Sequence, residues 1–248
     1  MIEVENLTVR FGGVTSLDAM SLTFEQGTCG LIGPNGAGKT TFFNVLSGFV
    51  RPAGGSVRAF GVDLLSMAHF RRARWGLRRT FQTEQAIEEL SVFDNVAMVH
   101  EHSRHPGSRR GDVLDAIAFA GLDADPEARV RTLGAGQRRL VEVARAVVGR
   151  PRLVLLDEPA SGLPENELPE LGDLIRDLTT EAGVVVIEHR MDLVMSVCDT
   201  IYVLDFGKLI ASGPPAEIQV NPAVTAAYLG ADDTAEPGIP EAGETADD

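Results

Sequence analysis

Three short stretches of this chain carry side chains whose types and spacing suit phosphate chemistry. The first is GPNGAGKT, Gly33 to Thr40. It fits the G-x-x-x-x-G-K-[ST] pattern of a P-loop, lying after an apolar strand and opening a helix. Glycine lets successive N–H groups point into one concave anion site. The dipole of a helix starting there adds attraction for a phosphate. Gly33, Pro34, Asn35, Gly36, Ala37 and Gly38 would form the cradle, with Thr41 just inside the helix. Lys39 would reach the β- and γ-phosphates, and the Thr40 hydroxyl would ligate Mg²⁺.

The second stretch is LVLLDEP, residues 153–159, an apolar strand ending in two adjacent acids. Packing does not explain them, because a buried charge is costly without a partner. Asp157 would hold Mg²⁺ directly or through water. Glu158 would polarise the attacking water. The third stretch is VVVIEH, which ends the next apolar strand at His189. Parallel neighbours deliver their C-terminal ends to one crevice, so His189 should lie near Glu158. A histidine there can hydrogen-bond the γ-phosphate.

The elements that must position these groups follow from periodicity. Residues 2–10 and 20–32 read as strands, the second stretch split at Gly27, and 39–48 as a helix. Residues 55–62 read as a hairpin strand and RTFQ, 79–82, as a strand edge. Ser91 is a helix N-cap, and helices are expected near 111–121, 137–149, 165–182, 191–198 and 222–229. Strands separated by helices in the second half imply βαβ units and a mostly parallel sheet. The middle, about 83–150, reads as a helical insert without strands.

Composition narrows the function classes. Net charge is −14, and the last 18 residues hold 7 acids and no base, leaving −7 for residues 1–230. That end, 231–248, reads as a solvated, disordered tail. An acidic chain argues against a nucleic-acid partner. The arginines at 71, 72, 74, 78 and 79 read as a solvated amphipathic face, and His100, His102 and His105 as a solvated helix end. Cys29 and Cys198 lie far apart in apolar segments and read as buried free thiols. No secretory signal is visible, and no apolar run approaches the ~18 residues that span a bilayer.

With these motifs in order, the chain resembles an ATP-binding-cassette (ABC) ATPase, the nucleotide-binding subunit of a transporter, over residues 1 to about 230. The resemblance implies an α/β P-loop NTPase fold: a mostly parallel core sheet, an N-terminal antiparallel β subdomain and an inserted helical subdomain. It implies ATP and Mg²⁺ as ligands. Phe11, 28 residues before Lys39, matches the aromatic that stacks on adenine. Gln82 matches the loop glutamine that senses Mg²⁺ and the attacking water. LGAGQ, Leu133 to Gln137, aligns with the signature LSGGQ, assigning Gly134, Gly136 and Gln137 to the phosphate held by a partner's P-loop. Two subunits then pair head-to-tail, with ATP between them.

Two positions depart from the family pattern. Gly134 stands where the signature has serine, and ASGLP, Ala160 to Pro164, ends in proline where the family has aspartate. Both bear on the partner's site, which suggests a mixed pair of unequal sites, though a homodimer stays open. FGG at 11–13, RRTFQ, GQRR, IEH and AAYLG resemble ATPase subunits of branched-chain amino-acid importers. Urea-type importers, a lipid exporter and a soluble non-transport ATPase remain alternatives. The importer reading implies transmembrane permeases, indirectly a solute-binding protein, and a peripheral place on the cytoplasmic face of the membrane.

Overall fold

The computed structural model describes residues 2–25, 27–81, 85–103 and 108–232. Gln82, His105 and residues 233–248 therefore lie outside the described residues.

The chain opens with β1 (Ile2–Phe11) and β2 (Val14–Phe24), an antiparallel hairpin. Next come β3 (Thr28–Ile32), α1 (Lys39–Ser47), β4 (Gly54–Ala59), β5 (Val62–Asp63), α2 (His69–Trp75) and β6 (Leu77–Arg79). A helical stretch carries α3 (Val92–His100), α4 (Arg109–Phe119) and α5 (Ala135–Val147). The rest alternates: β7 (Leu153–Asp157), α6 (Leu168–Glu181), β8 (Gly183–Ile187), α7 (Met191–Val197), β9 (Thr200–Asp205) and β10 (Lys208–Gly213). Two helices close it, α8 (Pro215–Gln219) and α9 (Pro222–Asp232).

These strands form two sheets. One is antiparallel, in the order β2-β1-β4-β5. The other has six strands, β10-β9-β3-β8-β7-β6, parallel except for the β9–β10 hairpin. Side chains alternate across a strand, so a sheet covered on both faces must be apolar at every position. That is the pattern of β7 and β8. Leu153, Leu155, Val185 and Ile187 join the cluster that holds β1, β2, β4 and α1. Val154, Leu156, Val184 and Val186 join the opposite cluster with α3 to α7. Each such buried side chain contributes about 1.5–3 kcal/mol, so these strand ends are held rigidly.

Local signals set the helix ends. Ser91 Oγ accepts from Asp94 N at 3.0 Å, capping α3 as its sequence predicts. α1 stops at Gly48, whose φ of +83° suits glycine alone, with Phe49 N returning to Asn44 O at 2.9 Å.

Several sequence expectations need correction. β2 begins at Val14 rather than residue 20, because register shifts interrupt the alternation and Ala19 has φ +45°. Only Arg71 and Arg74 of the arginine run are exposed; Arg72, Arg78 and the Arg79 side chain are buried. Arg72 is drawn in by the carbonyls at the end of α1, donating to Val45 O and Leu46 O. His100 is also buried, its Nε2 2.8 Å from Asp112 Oδ2, while His102 is exposed. The last helix runs to Asp232, two residues into the stretch read as tail.

Candidate functional site

The strand order explains which residues meet. β3, β8 and β7 lie side by side and parallel, so their C-terminal ends open into one crevice. Gly33 follows β3, Asp157 ends β7, and Glu188-His189 follows β8.

The P-loop wraps tightly at its base and opens at its rim. Gly33 and Gly38 have φ of +148° and +104°. A Cβ at Gly33 would strike the backbone oxygen of Leu204, and one at Gly38 that of Ser16. Glycine is thus required at both places. Asn35, Gly36 and Thr40 face solvent, Ala37 is buried and Pro34 half-buried. Thr41 turns away from the rim, its Oγ1 2.8 Å from Ser16 Oγ. Lys39 Nζ donates to the loop's own Gly33 O at 2.7 Å and Pro34 O at 2.9 Å. Burial lowers the Lys39 pKa, opposed by the charges of Glu158 and Asp157. The acids and the lysine therefore share one field.

Asp157 is 1% exposed. Its Oδ2 accepts from Arg79 Nη2 at 2.7 Å, and its backbone N–H donates to Thr80 Oγ1 at 3.0 Å. Its Oδ1 is buried and has no hydrogen-bond partner among the described residues. A buried carboxylate oxygen without a partner is costly, and a hard cation is a group that satisfies it. Among the described residues no three His, Cys, Asp or Glu side chains group to hold a metal alone. Asp157 and the exposed Thr40 hydroxyl fit an ion such as Mg²⁺ that shares its shell with phosphate oxygens.

Glu158 sits at φ +50°, off the end of its strand, with its N–H on Ile187 O at 2.8 Å. Its Oε1 lies 3.0 Å from His189 Nε2. The histidine loop is braced by Glu188, which sequence reading passed over. Glu188 is 3% exposed, and its carboxylate accepts from Ala160 N, His189 N and Arg190 N. Arg139 was missed as well: it donates to the carbonyls of Phe81, Glu158 and Pro159. The only signal for either was a charge beside a motif.

Other expected residues stand apart. Phe11 ends β1 and is 51% exposed, its ring open for stacking. Gly134 is the N-cap of α5 and supplies no side-chain bond; a Cβ there would meet nothing within 4 Å. Gly136 leaves room for Glu167, whose Oε2 would lie 2.6 Å from an added Cβ. Gln137 Nε2 donates to Asp123 O at 3.1 Å. Gly134 N donates to Gln137 Oε1 at 3.4 Å. Pro164 is exposed at the start of a short turn before α6.

Residues 17–161 match the family model described as ABC transporter, and residues 208–234 match that of the branched-chain amino acid ATP-binding cassette transporter. The chain is 38% identical to a high-affinity branched-chain amino acid transport ATP-binding protein, BraF, of Pseudomonas aeruginosa, covering 93% of this chain and 98% of that one. It is 32% identical to a probable branched-chain amino acid transport ATP-binding protein, LivG, of Archaeoglobus fulgidus, over 94% and 97%. Among solved structures it is similar to an ATP-binding cassette of an ABC transporter in its ADP conformation. That likeness has a TM-score of 0.82 and 26% identity over 93% of this chain and 98% of that one. A nucleotide-free cassette from an ABC transporter is equally similar, with a TM-score of 0.82 at 25% identity over 92% and 98%.

Proposed function

We propose that this chain, which belongs to the ABC transporter family, binds ATP with Mg²⁺ in the crevice at Lys39 and Asp157 and hydrolyses it to drive solute import. Its solute class is branched-chain or other hydrophobic amino acids, in keeping with the names of its relatives. What supports the reading is one juxtaposition: Lys39 feels the charges of Asp157 and Glu158, and Glu158 touches His189.

The roles in this reading are as follows. Lys39 exchanges two loop carbonyls for the β- and γ-phosphate oxygens, and the loop N–H groups hold the rest. Mg²⁺, when bound, neutralises charge on those oxygens; Asp157 Oδ1, Thr40 and Gln82 are the residues to hold it. Glu158 accepts the proton of the attacking water as its oxygen closes on the γ-phosphorus and ADP departs. His189 orients that carboxylate and stands ready to hydrogen-bond the γ-phosphate. Phe11 stacks on the adenine.

Gly134, Gly136 and Gln137 then serve the P-loop of a second cassette in a head-to-tail pair. Because Gly134 lacks a hydroxyl and Pro164 a carboxylate, the fitting partner is a cassette of different sequence. Permeases hold the pair at the cytoplasmic face of the membrane, with a solute-binding protein acting on them from the other side. Among the described residues no helix is long and apolar enough to cross a membrane.

Affinity purification from detergent-solubilised membranes tests this. Recovery of a multi-span membrane protein and a second, different cassette is expected. Recovery only with ribosomes or nucleic acid overturns the transporter reading, and cooperative turnover by a pure homodimer overturns the mixed pair.

A further inference from the structure

We infer that Arg79 is a positioning residue for Asp157, fixing the plane of its carboxylate so that the oxygen it leaves free faces the cation that accompanies the triphosphate. The inference rests on the nucleotide-site reading above.

Arg79 is held from several sides. Its side chain is 5% exposed. Nη2 donates to Asp157 Oδ2 at 2.7 Å, and Nη1 donates to Asn44 Oδ1 at 2.7 Å. The guanidinium carbon stands 4.9 Å from the Phe81 ring centroid and 5.5 Å from that of Phe43. A planar guanidinium fixed by two acceptors and two rings has little freedom left. Thr80, the next residue, takes the backbone N–H of Asp157. Two consecutive residues thus fix the backbone and the side chain of the same acid.

The carboxylate plane of an aspartate turns readily about its last torsion, which is soft. Here Oδ2 is engaged by Arg79, while Oδ1 is buried with no hydrogen bond among the described residues. The pair therefore presents a single oxygen in a single pose before any ligand arrives. Asn44, the brace for Arg79, lies on α1, the helix that begins with Lys39 and Thr40. One rigid helix so supports both the phosphate-binding residues and the residue that aims Asp157.

Charge alone makes the opposite prediction. A cation beside a metal ligand repels Mg²⁺, so deleting it should ease metal binding. If pose governs, deleting it should weaken metal binding.

A fluorescent ATP analogue titrated in EDTA, and then across a range of MgCl₂, separates the two. Wild type, Arg79→Met, Arg79→Lys and Asn44→Ala are compared, the last two keeping the buried positive charge. Binding in EDTA should stay within about twofold of wild type, while the Mg²⁺ needed for half-maximal tightening rises about ten- to a hundredfold in Arg79→Met. Asn44→Ala should shift the same way by less, and Arg79→Lys should recover part of the loss. An unchanged or lowered Mg²⁺ requirement overturns the assignment. Equal weakening with and without Mg²⁺ marks a merely structural role and also overturns it. Absence of nucleotide binding by the wild type removes the site reading itself, and this inference with it.

Discussion

His189 Nε2 stands 3.0 Å from Glu158 Oε1, joining the ends of two adjacent parallel strands. Neither residue is held by accident. Glu158 occupies a left-handed backbone conformation, which sends its side chain off the strand axis toward the histidine. The buried Glu188 carboxylate fixes the backbone of His189 through its N–H.

This contact predicts a split between binding and turnover. Glu158→Gln should bind ATP normally but hydrolyse it about 10²–10⁴-fold more slowly, the usual worth of a positioned base. His189→Ala should lower kcat with little change in KM. Because the two act as a unit, the double variant should lose no more than the worse single one. Steady-state ATPase assays with parallel nucleotide titrations check all three, and additive losses would separate the pair.

Lys39 is held at a cost to the fold. Burial disfavours its charged form, as the lowered pKa records. Lys39→Met should therefore keep or raise the melting temperature while weakening ATP binding about ten- to a hundredfold, the worth of a charged hydrogen bond. A large drop in melting temperature would show that the lysine serves the fold first.

Gly134→Ser tests the weakened signature. The site has room for a side chain, and its φ of −67° suits serine. The hydroxyl should cap α5 for a few tenths of a kcal/mol. In trans it should also strengthen ATP-dependent pairing about tenfold, at the low end for a bond to a charged group. Light scattering in a Glu158→Gln background reads the dimer fraction with ATP; no gain there would remove Gly134 from the interface.

The cysteines give a pH prediction. Burial pushes the Cys29 thiol up to about 11 and the Cys198 thiol up to about 12, from an ordinary 9.0. The fold favours the protonated form, so this contribution is complete below pH 9 and is lost as pH rises toward 11–12. At pH 8 neither thiol should react with a maleimide until denaturant is added. Rapid labelling of the native protein would contradict their burial.

Much of the site was legible because its motifs are local. GPNGAGKT, LVLLDE and VVVIEH each carry their chemistry in one continuous stretch, and a parallel sheet brings strand ends together. Ser91 was legible for the same reason. The supporting shell was not. Arg79, Asn44 and Asp157 come from three separate elements, and a run of arginines at 71–79 looks like a solvated face until α1 offers its carbonyls to Arg72. Glu188, through Ala160 N, and Arg139 bind backbone groups of a loop far along the chain, which no periodicity marks. The first half of β2 was hidden because its register shifts break the alternation that signals a strand.

The most direct test of the account is ATP-driven uptake. Proteoliposomes holding this chain, its partner cassette and their permeases, with ATP on the cassette side and a solute-binding protein on the other, should accumulate labelled leucine. That uptake should vanish when ATP is withheld and collapse with Glu158→Gln. Uptake that continues unchanged without ATP, or with Glu158→Gln in place, would contradict the account.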